Sequence, residues 1–388
     1  MLRAIVSVAC LFLFATVSSS PAFAAQVIIP APPQIAASAY LLMDADTGKV
    51  IMEHNADEQL PPASLTKMMT SYIVSEEVAA GRLKDTDLVR ISDDAWKRGG
   101  SASGSSTMFL DPRTEVPVID LLRGVIIQSG NDASIALAQH IAGGEEAFAD
   151  IMNQQAELLG MTHSHFRNAT GWPAEGHLTT ARDLSILARA LINDHSNHYE
   201  LYSERYFKYN GINQPNRNKL LFTDNSVDGI KTGHTNAAGY CLVASAVRDD
   251  MRLISVIMGA RSESARASES QKLLAYGFRY YQTHKLYTAG DELGTGRVWG
   301  GDPQQLSLTV ADDILATIPR GAQANVKAEI ETNASIEAPV AKGQVLGKLR
   351  VTLDDETLVE TDLVAASDIA EAGLFDRLWD AIVRLFEE

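Results

Sequence analysis

The sequence is poor in cysteine and in positive charge. Its 388 residues include two cysteines, and 33 lysines and arginines stand against 49 aspartates and glutamates, a formal net charge of −16. Affinity for a phosphate backbone comes largely from clustered lysine and arginine, so this balance excludes nucleic acid as a partner. It equally excludes a broad electrostatic attraction to anionic lipid, so any membrane contact must rest mainly on apolar burial.

A hydrophobic run long enough to cross a bilayer is also missing near the start of the chain. The strongly apolar residues 4–17 fall short of the roughly 20 residues that a spanning helix needs. They follow Arg3 and precede the small-x-small sequence AFA at residues 22–24. This pattern predicts a cleaved secretory signal over residues 1–24, with an uncleaved membrane anchor as the alternative.

Cysteine becomes scarcer still if that segment is removed. Cys10 lies inside it, so the exported chain keeps only Cys241. One thiol cannot form an internal disulfide, which excludes a disulfide-stapled fold. The surrounding residues, AAGYCLVASAV, predict a buried strand in which Cys241 is a small apolar side chain rather than a nucleophile.

Length and composition indicate an ordinary globular protein with more than one domain. A single core seldom grows beyond about 250–300 residues, and 46% hydrophobic with 21% charged residues lies near the globular average. Residues 25–285 begin with a hairpin pattern around residues 46–48 and end with two strand-like runs that meet at residues 248–250. Helical patterns lie between them. This order predicts an α+β domain whose antiparallel sheet is assembled from distant segments beside a cluster of helices.

Two further segments follow this domain. Residues 286–370 alternate short apolar runs with glycine, proline and aspartate, which predicts a small all-β, sandwich-like domain. Residues 371–388 predict an amphipathic helix whose apolar face carries Leu374, Phe375, Leu378, Trp379, Ile382, Leu385 and Phe386. The opposite face carries Asp376, Arg377, Asp380, Arg384 and Glu387. We expect this helix to lie on a membrane surface, with docking on the protein or on a second copy as the alternatives.

The first chemical signal is the sequence PPASLTKMMT at residues 61–70. Ser64 and Lys67 are three residues apart and therefore share one face of a helix. A serine hydroxyl needs a base to become a nucleophile, and lysine can be that base when burial or a nearby cation favours its neutral form. The next residues are apolar, and burying a serine and a lysine among them is costly unless the pair has a function.

Two more motifs follow in a fixed order. SGN occupies residues 129–131 between two helical patterns, and KTG occupies residues 231–233, just before a strand predicted to begin near Gly239. Together the three motifs resemble the set shared by penicillin-binding proteins and serine β-lactamases. From Ala39 to Tyr281 the chain resembles the low-molecular-mass D-alanyl-D-alanine carboxypeptidases, through the segments PASLTKMMTSY, QSGNDA, TTARDL, VDGIKTGHT and MRLISVIMGA.

This resemblance implies a β-lactamase/transpeptidase-like fold and an activity. The protein would remove the terminal D-alanine from peptidoglycan stem peptides and would be acylated by β-lactam antibiotics, without a cofactor. It would be a periplasmic protein attached peripherally to the outer face of the cytoplasmic membrane. The β-rich segment and the final helix fit the usual layout of that family.

The resemblance also implies the catalytic residues. Ser64 would attack the D-Ala–D-Ala carbonyl and pass its proton to Lys67, whose neutral form the positive charge of Lys231 would favour. Ser129 would relay a proton to the leaving D-alanine. Backbone N–H groups of Ser64 and His234 would form the oxyanion hole.

The substrate-binding residues implied in the same way are Asn131, Lys231, Thr232, Gly233, His234 and Arg266. Asn131 would hold the substrate amide and also steady the base. Lys231 and Thr232 would meet the terminal carboxylate, to which Arg266 would add positive charge. Gly233 would let the strand backbone come close to the ligand.

Two histidine pairs have spacings that a metal site could use. They are His163 with His165 and His195 with His198. No cluster of acids or thiols accompanies either pair, and both lie in polar, loop-like stretches. We therefore expect solvated histidines and no metal.

Three other functions stay open at this point. A class A β-lactamase shares the motifs but uses a glutamate after the SGN segment, and here the only acid in residues 160–180 is Glu175, outside the Glu-x-x-Leu-Asn setting. A DD-endopeptidase would use the same bond chemistry on cross-links. A non-catalytic periplasmic wall-binding scaffold is disfavoured, because a scaffold has no need to keep Ser64, Lys67, Ser129 and Lys231 intact.

Overall fold

The computed structural model describes residues 28–332 and 335–387. The predicted signal peptide and Cys10 lie outside these residues. Within the described part, no helix is long and apolar enough to cross a membrane.

Helices and strands divide the chain into a mixed first part and an all-β second part. Among the described residues the helices are α1 Lys67–Ala79, α2 Asp93–Gly99, α3 Val118–Ile127, α4 Asn131–Ala142, α5 Glu145–Leu158, α6 Ala181–Asp194, α7 Ser196–Tyr199, α8 Leu220–Thr223, α9 Glu263–Tyr280 and α10 Leu374–Glu387. The strands of the first part are β1 Ala39–Asp44, β2 Val50–His54, β3 Leu88–Arg90, β4 Glu115–Pro117, β5 Tyr206–Tyr209, β6 Ile212–Pro215, β7 Val227–Thr235, β8 Gly239–Arg248 and β9 Met251–Ala260. Those of the second part are β10 Tyr281–Tyr287, β11 Gly294–Trp299, β12 Gly301–Asp302, β13 Gln305–Thr309, β14 Ile314–Pro319, β15 Val326–Thr332, β16 Ile336–Glu337, β17 Val345–Leu353, β18 Glu356–Ala365 and β19 Ala370–Glu371.

The first domain is built around a five-stranded antiparallel sheet in the order β2-β1-β9-β8-β7. Its register pairs Leu41 with Val256 and Lys231 with Val243. The hairpin β1–β2 comes from the start of the described chain, whereas the other three strands come after the helices. The predicted α+β fold, with a sheet assembled from distant segments, is therefore confirmed. Strand β7 forms one edge of the sheet.

Alternation along the strands sends apolar side chains to both faces of this sheet. Leu41 and Met43 join the core formed with the helical cluster, while Leu42 joins the core on the opposite face with Leu273 of α9. Burying each such side chain stabilises the fold by about 1.5–3 kcal/mol. The sheet is thus covered on both faces, which leaves an edge for contact with a ligand.

Cys241 lies in β8 and is a buried free thiol. Burial raises the pKa of this thiol to about 11, so it stays protonated at neutral pH. The prediction of a small apolar side chain in a buried strand is confirmed.

Two segments quoted from the sequence have defined places in the fold. Thr180 of the TTARDL segment caps the start of α6, its hydroxyl accepting a hydrogen bond from the Asp183 N–H at 3.1 Å. The KTG segment lies inside β7 and precedes β8, which begins at Gly239 as predicted. Pairing of β7 with β8 from Val227 to Thr235 keeps its backbone extended.

The second domain is all-β, as predicted. Its main sheet has the order β15-β17-β18-β13-β11-β16, while β10 pairs with β14 and β12 with β19. One small core contains Leu306 and Leu308, and a second contains Leu349 and Val351. The predicted boundary between residues 285 and 286 falls within β10 and stays a prediction, as do the other domain boundaries.

A buried carboxylate lies at the junction of the two domains. Asp44, the last residue of β1, is fully buried and accepts hydrogen bonds from the hydroxyls of Thr283 and Thr317, each at 2.7 Å. These threonines lie in β10 and β14, which belong to the second domain. The backbone N–H of Asp46 also donates to this carboxylate, at 3.0 Å. An unpaired carboxylate at this depth would be costly, so these donors hold the two domains together.

The final helix, α10, directs its polar side toward the second domain. Asp380 is 3% exposed and accepts hydrogen bonds from the Gly300 N–H at 2.8 Å and the Gln304 amide at 3.2 Å. Arg384 forms an ion pair with Glu337 at 2.6 Å. The helix is therefore attached by charged and polar contacts.

The apolar side of α10 faces outward. Phe375 and Trp379 are 88% and 66% exposed, and Leu374, Leu378 and Ile382 are exposed as well. The side chains of Leu385 and Phe386 lie outside the described part. The helix has the predicted amphipathic pattern, but its apolar face is not the one that contacts the protein.

Candidate active site

Ser64 lies in a tight 3-10 turn immediately before a helix. The turn spans Ala63–Thr66 and leads into α1, which begins at Lys67. Ala63 has a φ of 48°, and a Cβ at Gly171 would lie 1.8 Å from the Ala63 carbonyl oxygen. Within the turn only Ser64 keeps partial exposure, so its hydroxyl is the group that the turn presents.

Lys67 is buried beside this hydroxyl. Its Nζ lies 3.3 Å from Ser64 Oγ and donates hydrogen bonds to Asn131 Oδ1 at 2.6 Å and to the Thr170 carbonyl at 2.5 Å. The residue has no exposed surface. These contacts fix the amine within reach of the serine proton, which is the geometry that a general base requires.

Burial lowers the pKa of Lys67 to about 7, while the carboxylates of Asp132 and Glu145 oppose that shift. Burial also holds the pKa of Lys231 well below its ordinary value, and the charge of Lys67 contributes to that effect. The charge of Lys231, which was expected to favour neutral Lys67, is not among the causes of the Lys67 shift. Removal from water is the main one, because desolvation penalises an ammonium group even without a second cation.

Ser129 and Asn131 lie where α3 passes into α4. Ser129 has a φ of 60°, which few residues other than glycine adopt. Its Oγ accepts a hydrogen bond from Lys231 Nζ at 3.0 Å. The neighbouring Asp132 is buried and accepts one from Thr107 Oγ1 at 2.6 Å. Through this hydrogen bond the Asp132 carboxylate holds the loop that contains Thr107 against the start of α4, which stabilises the positive φ of Ser129.

Strand β7 supplies the remaining side of the site. A Cβ at Gly233 would lie 3.1 Å from the Pro62 carbonyl oxygen and 3.3 Å from Ala63 Cβ, so glycine permits the Ser64 turn to approach the strand. The ring of His234 stacks on Tyr240 with centroids 4.0 Å apart. The turn and the strand are therefore in close contact beside the hydroxyl.

Arg266 reaches the site from α9. It is 7% exposed, and its Nη1 donates a hydrogen bond to the Gly233 carbonyl at 3.1 Å. Burial lowers the pKa of its guanidinium, although Glu263 opposes the shift. The side chain is therefore buried at the site and not on a solvated face of α9.

The residues form a cavity of about 260 Å³ lined by Ser64, Ser106, Ser129, Arg217, Thr232, Gly233, His234, Tyr240, Glu263 and Arg266. Lys67, Asn131 and Lys231 connect to it through the hydrogen bonds described above. All of the site residues predicted from sequence are thus brought together at one place. The cavity combines a hydroxyl beside a buried amine with two guanidinium groups.

Comparison with known proteins identifies the family to which this chain belongs. A model of D-alanyl-D-alanine carboxypeptidase matches residues 26–262, and a model of the penicillin-binding protein 5 C-terminal domain matches residues 281–371. The D-alanyl-D-alanine carboxypeptidase DacA of Escherichia coli (strain K12) is 46% identical over 365 residues, covering 93% of this chain and 90% of the relative. This chain belongs to the D-alanyl-D-alanine carboxypeptidase family.

Solved structures agree with this carboxypeptidase assignment. Penicillin-binding protein 5 from Haemophilus influenzae superimposes with a TM-score of 0.83 at 43% identity, covering 88% of this chain and all of the other. Penicillin-binding protein D2 from Listeria monocytogenes, solved in the ampicillin-bound form, has a TM-score of 0.56 at 28% identity and covers 64% of this chain and all of the other. The chain is accordingly a D-alanyl-D-alanine carboxypeptidase with the penicillin-binding-protein fold.

Four residues that line the carboxypeptidase cavity were not predicted from sequence, namely Ser106, Arg217, Tyr240 and Glu263. Arg217 belongs to no motif. Its position is fixed by the neighbouring residue Asn218, which is buried and whose side chain donates a hydrogen bond to the Gly229 carbonyl at 2.8 Å. Ser106 is placed by its carbonyl, which accepts the Asn131 N–H at 2.9 Å. Neither position carries a local signal, because long-range backbone pairing brings both to the site.

The histidines of the carboxypeptidase differ from expectation in part. His198 is not solvated, since its ring nitrogens lie 2.8 Å from Ser75 Oγ and 3.0 Å from Asp85 Oδ1. His195 is buried against Tyr72. Both rings are enclosed because α1 and the segment after α6 pack together. Over residues 28–332 and 335–387, no group of three or more histidine, cysteine or acidic residues is arranged to hold a metal.

Proposed function

We propose that the carboxypeptidase reaction proceeds through an acyl-enzyme on Ser64. The serine oxygen attacks the carbonyl carbon of the D-Ala–D-Ala bond while its proton passes to Lys67. The observation that carries this proposal is the 3.3 Å contact between Ser64 Oγ and the Lys67 amine, whose pKa burial lowers to about 7, so that its neutral form is available near neutral pH. In this proposal the backbone N–H groups of Ser64 and His234 stabilise the developing oxyanion.

Departure of the leaving group requires a proton and a site for the carboxylate. In our proposal Ser129 delivers the proton to the D-alanine nitrogen as the carbon–nitrogen bond breaks, and the hydrogen bond from Lys231 supports this transfer. The terminal carboxylate lies near Thr232, Arg217 and Arg266, which line the cavity. Water then attacks the Ser64 ester and releases the shortened stem peptide.

β-Lactam antibiotics should form the same ester and leave it slowly. Penicillin-binding protein D2 from Listeria monocytogenes is known in an ampicillin-bound form, and in the present site Ser64 lies within reach of the Lys67 amine. Rapid hydrolysis of the ester in class A β-lactamases needs a carboxylate near the nucleophile. Here the main-chain carbonyl of Thr170 contacts Lys67, and the exposed Glu175 lines a neighbouring cavity instead. We therefore place the chain with penicillin-sensitive carboxypeptidases rather than with β-lactamases.

The proposed location follows from the two ends of the chain. We propose that residues 1–24 direct export and that α10 then lies on the outer face of the cytoplasmic membrane. Exposed Phe375 and Trp379, with the polar side of the helix held by the second domain, support contact with the interface. The alternative of docking on the protein is weakened because the apolar face is exposed, whereas pairing with a second copy would bury this same face.

The catalytic proposal is tested with purified protein spanning residues 25–388 and its Ser64→Ala variant. Each is incubated with a fluorescent penicillin and with a D-Ala–D-Ala pentapeptide, and adduct mass and D-alanine release are measured. We expect release and a stable adduct in the parent protein, and neither in the variant. Release that persists in the variant contradicts the assignment of the nucleophile.

The other functions give different outcomes in the same experiment. Rapid turnover of penicillin indicates a β-lactamase, and an adduct without D-alanine release indicates a preference for cross-links or a binder that does not turn over. If no adduct forms, the function that remains is that of a non-catalytic wall-binding scaffold. Membrane contact is tested separately by sedimentation with lipid vesicles, where a chain ending at residue 372 should remain in solution while the longer chain binds.

A further inference from the structure

The loop after α5 supplies one of the two acceptors to which the Lys67 amine donates within the site. Lys67 Nζ donates to Asn131 Oδ1 at 2.6 Å and to the Thr170 carbonyl at 2.5 Å. A neutral amine has two N–H groups and one lone pair, because it carries one proton fewer than the ammonium group with its three donors. With both N–H groups engaged, the lone pair is left for the third neighbour, Ser64 Oγ, at 3.3 Å. The position of the Thr170 carbonyl therefore affects the direction in which Lys67 can accept a proton.

One side chain organises the carbonyl loop, which we define as residues 168–172. Asn168 Oδ1 accepts hydrogen bonds from the successive backbone N–H groups of Thr170, Gly171 and Trp172, at 3.1, 2.8 and 3.2 Å. It also accepts one from Thr170 Oγ1 at 2.9 Å, and the Asn168 amide donates to the Trp172 carbonyl at 3.1 Å. Thr170 and Gly171 are buried. Loss of this acceptor would therefore leave their N–H groups away from water, which is costly.

The carbonyl that contacts Lys67 and one of these N–H groups belong to the same peptide bond. A trans peptide is planar, with its C=O and its N–H on opposite sides. The N–H of Gly171 donates to Asn168 Oδ1, while the carbonyl of Thr170 accepts from Lys67 Nζ. Asn168 and Lys67 therefore hold this peptide plane from its two sides.

Other contacts hold the carbonyl loop at the preceding residue. The Ala169 carbonyl accepts a hydrogen bond from Thr70 Oγ1 of α1 at 2.8 Å. The Ala169 N–H donates to Glu145 Oε1 of α5 at 3.4 Å. These bonds attach the loop to two helices, but they act on the peptide groups before Thr170. The orientation of the next peptide group, which faces Lys67, depends on Asn168.

We propose that Asn168 is a positioning residue for the carboxypeptidase reaction. By holding the Gly171 N–H it aims the Thr170 carbonyl at Lys67, and the lone pair of the amine is thereby directed at the Ser64 hydroxyl. Asn168 acts through this peptide group and not on the substrate. The inference rests on the proposed function, because it takes Lys67 as the base.

The test measures the rate of acylation by a fluorescent penicillin at pH values on both sides of neutrality. In Asn168→Ala the rate on the alkaline plateau should fall by about 10- to 100-fold, as expected when a reacting group is misplaced by about 1 Å. The midpoint of the fall at low pH should also move to a lower pH. A hydrogen bond to the protonated Lys67 amine is lost, and such a loss lowers the pKa of the amine.

Asn168→Asp keeps an acceptor for the backbone N–H groups and adds a negative charge near Lys67. Its plateau rate should therefore stay close to that of the parent protein, while the midpoint moves to a higher pH by roughly half a unit or more. The charged or titratable groups that face the amine are the same in both variants, namely Asp132 of α4, Glu145 of α5, Lys231 of β7 and the imidazole of His177. A residue that only stabilised the loop would not move the midpoint in opposite directions.

Asn153→Ala is the matched control. The Asn153 side chain donates to the Phe166 carbonyl at 3.0 Å and accepts from the Phe166 N–H at 2.7 Å, so it holds the same segment two residues before the carbonyl loop. We expect this variant to unfold at a lower temperature but to keep the plateau rate and the midpoint of the parent. If Asn168→Ala does not fold, Asn168→Ser replaces it, because serine keeps one acceptor oxygen, and should show a smaller loss in the same direction.

The outcomes separate this inference from the catalytic proposal. An acylation profile of Asn168→Ala, or of the serine variant in its place, that matches the parent overturns the positioning role and leaves Lys67 as the base. An equal loss of rate in Asn153→Ala also overturns it, because the effect would then belong to the segment as a whole. A parent protein whose rate does not fall at low pH contradicts the proposed role of Lys67 instead.

Discussion

The first helix and the last helix of this protein each bury a charged side chain, but only the last helix also exposes its apolar face. α1 begins with a lysine that has no exposed surface, next to the methionines of the main core. α10 buries Asp380 and exposes Trp379. In each case one charged group is enclosed by hydrogen-bond partners, so neither arrangement leaves a buried charge unpaired.

The difference between the two lies in what the burial achieves. Around Lys67 the loss of water changes a pKa, so the interior of the first domain prepares a base. Around Asp380 the carboxylate accepts backbone and side-chain hydrogen bonds, so the second domain holds a helix without covering its apolar face. The buried charge of Lys67 in α1 therefore contributes to catalysis, whereas that of Asp380 in α10 attaches the helix to the second domain.

The largest expected effect is the loss of the base in α1. Lys67→Arg keeps a cation near Ser64 but cannot accept a proton at neutral pH, so the acylation rate should fall by about 10²- to 10⁴-fold. Stopped-flow measurement with a fluorescent penicillin records this rate. The exposed Lys84→Arg serves as the control and should acylate normally. Equal rates in the two variants would mean that burial of Lys67 has no catalytic purpose.

The pH dependence of acylation should follow the same amine. Protonated Lys67 cannot take the serine proton, so kcat/KM should fall about tenfold for each pH unit below its pKa and level off above it. With that pKa lowered to about 7, the change should be centred near neutrality. A rate that stays level across this region contradicts the assignment of Lys67.

The buried lysine also makes stability depend on pH, with the same sign as a carboxylate whose pKa is lowered on folding and the opposite sign to a lysine stabilised by an ion pair. The unfolded chain binds the lysine proton up to the ordinary lysine pKa, while the folded chain releases it near pH 7. Between these values the unfolded state holds more protons, so this group makes the free energy of unfolding rise with pH.

A smaller effect is expected at the buried acid of α10. Asp380→Ala leaves the Gly300 N–H and the Gln304 amide without this acceptor, at a cost of about 1–3 kcal/mol to the docking of the helix. Amide hydrogen exchange within α10 should become faster, while hydrolysis of a soluble peptide stays the same. Asp376→Ala, at an exposed acid of the same helix, should leave the exchange slow.

The smallest effect on stability is expected on the exposed face of α10. Leu378→Gln replaces a side chain that is 63% exposed, so the free energy of unfolding should change by no more than about 0.5 kcal/mol. Sedimentation with lipid vesicles should nevertheless show weaker binding. If the variant instead loses stability without losing vesicle binding, this face packs on protein and the comparison between the two helices no longer holds.

Much of the catalytic cavity could be predicted from sequence because its chemistry is carried by short motifs. Ser64 and Lys67 share one turn, and Ser129 with Asn131 spans one loop. Arg217 could not be predicted, since its position depends on Asn218 pairing with a distant strand.

The arrangement of α10 shows a different limit. The sequence pattern predicts two faces of the helix, but it does not tell which face contacts the protein. That choice depends on the donors around Gly300, which only the folded second domain provides. The same reason accounts for His195 and His198, which have a polar local sequence but are enclosed when α1 packs against them.

The carboxylate of Asp44 at the domain junction determines how far the enzyme can reach. Its hydrogen bonds to β10 and β14 make the second domain a spacer of fixed length between α10 and Ser64. If α10 lies on a bilayer as proposed, this spacer would set the height above the lipid at which stem peptides are trimmed. The dimensions of the protein would then select the layer of cell wall that the enzyme can process, independently of its affinity for the peptide.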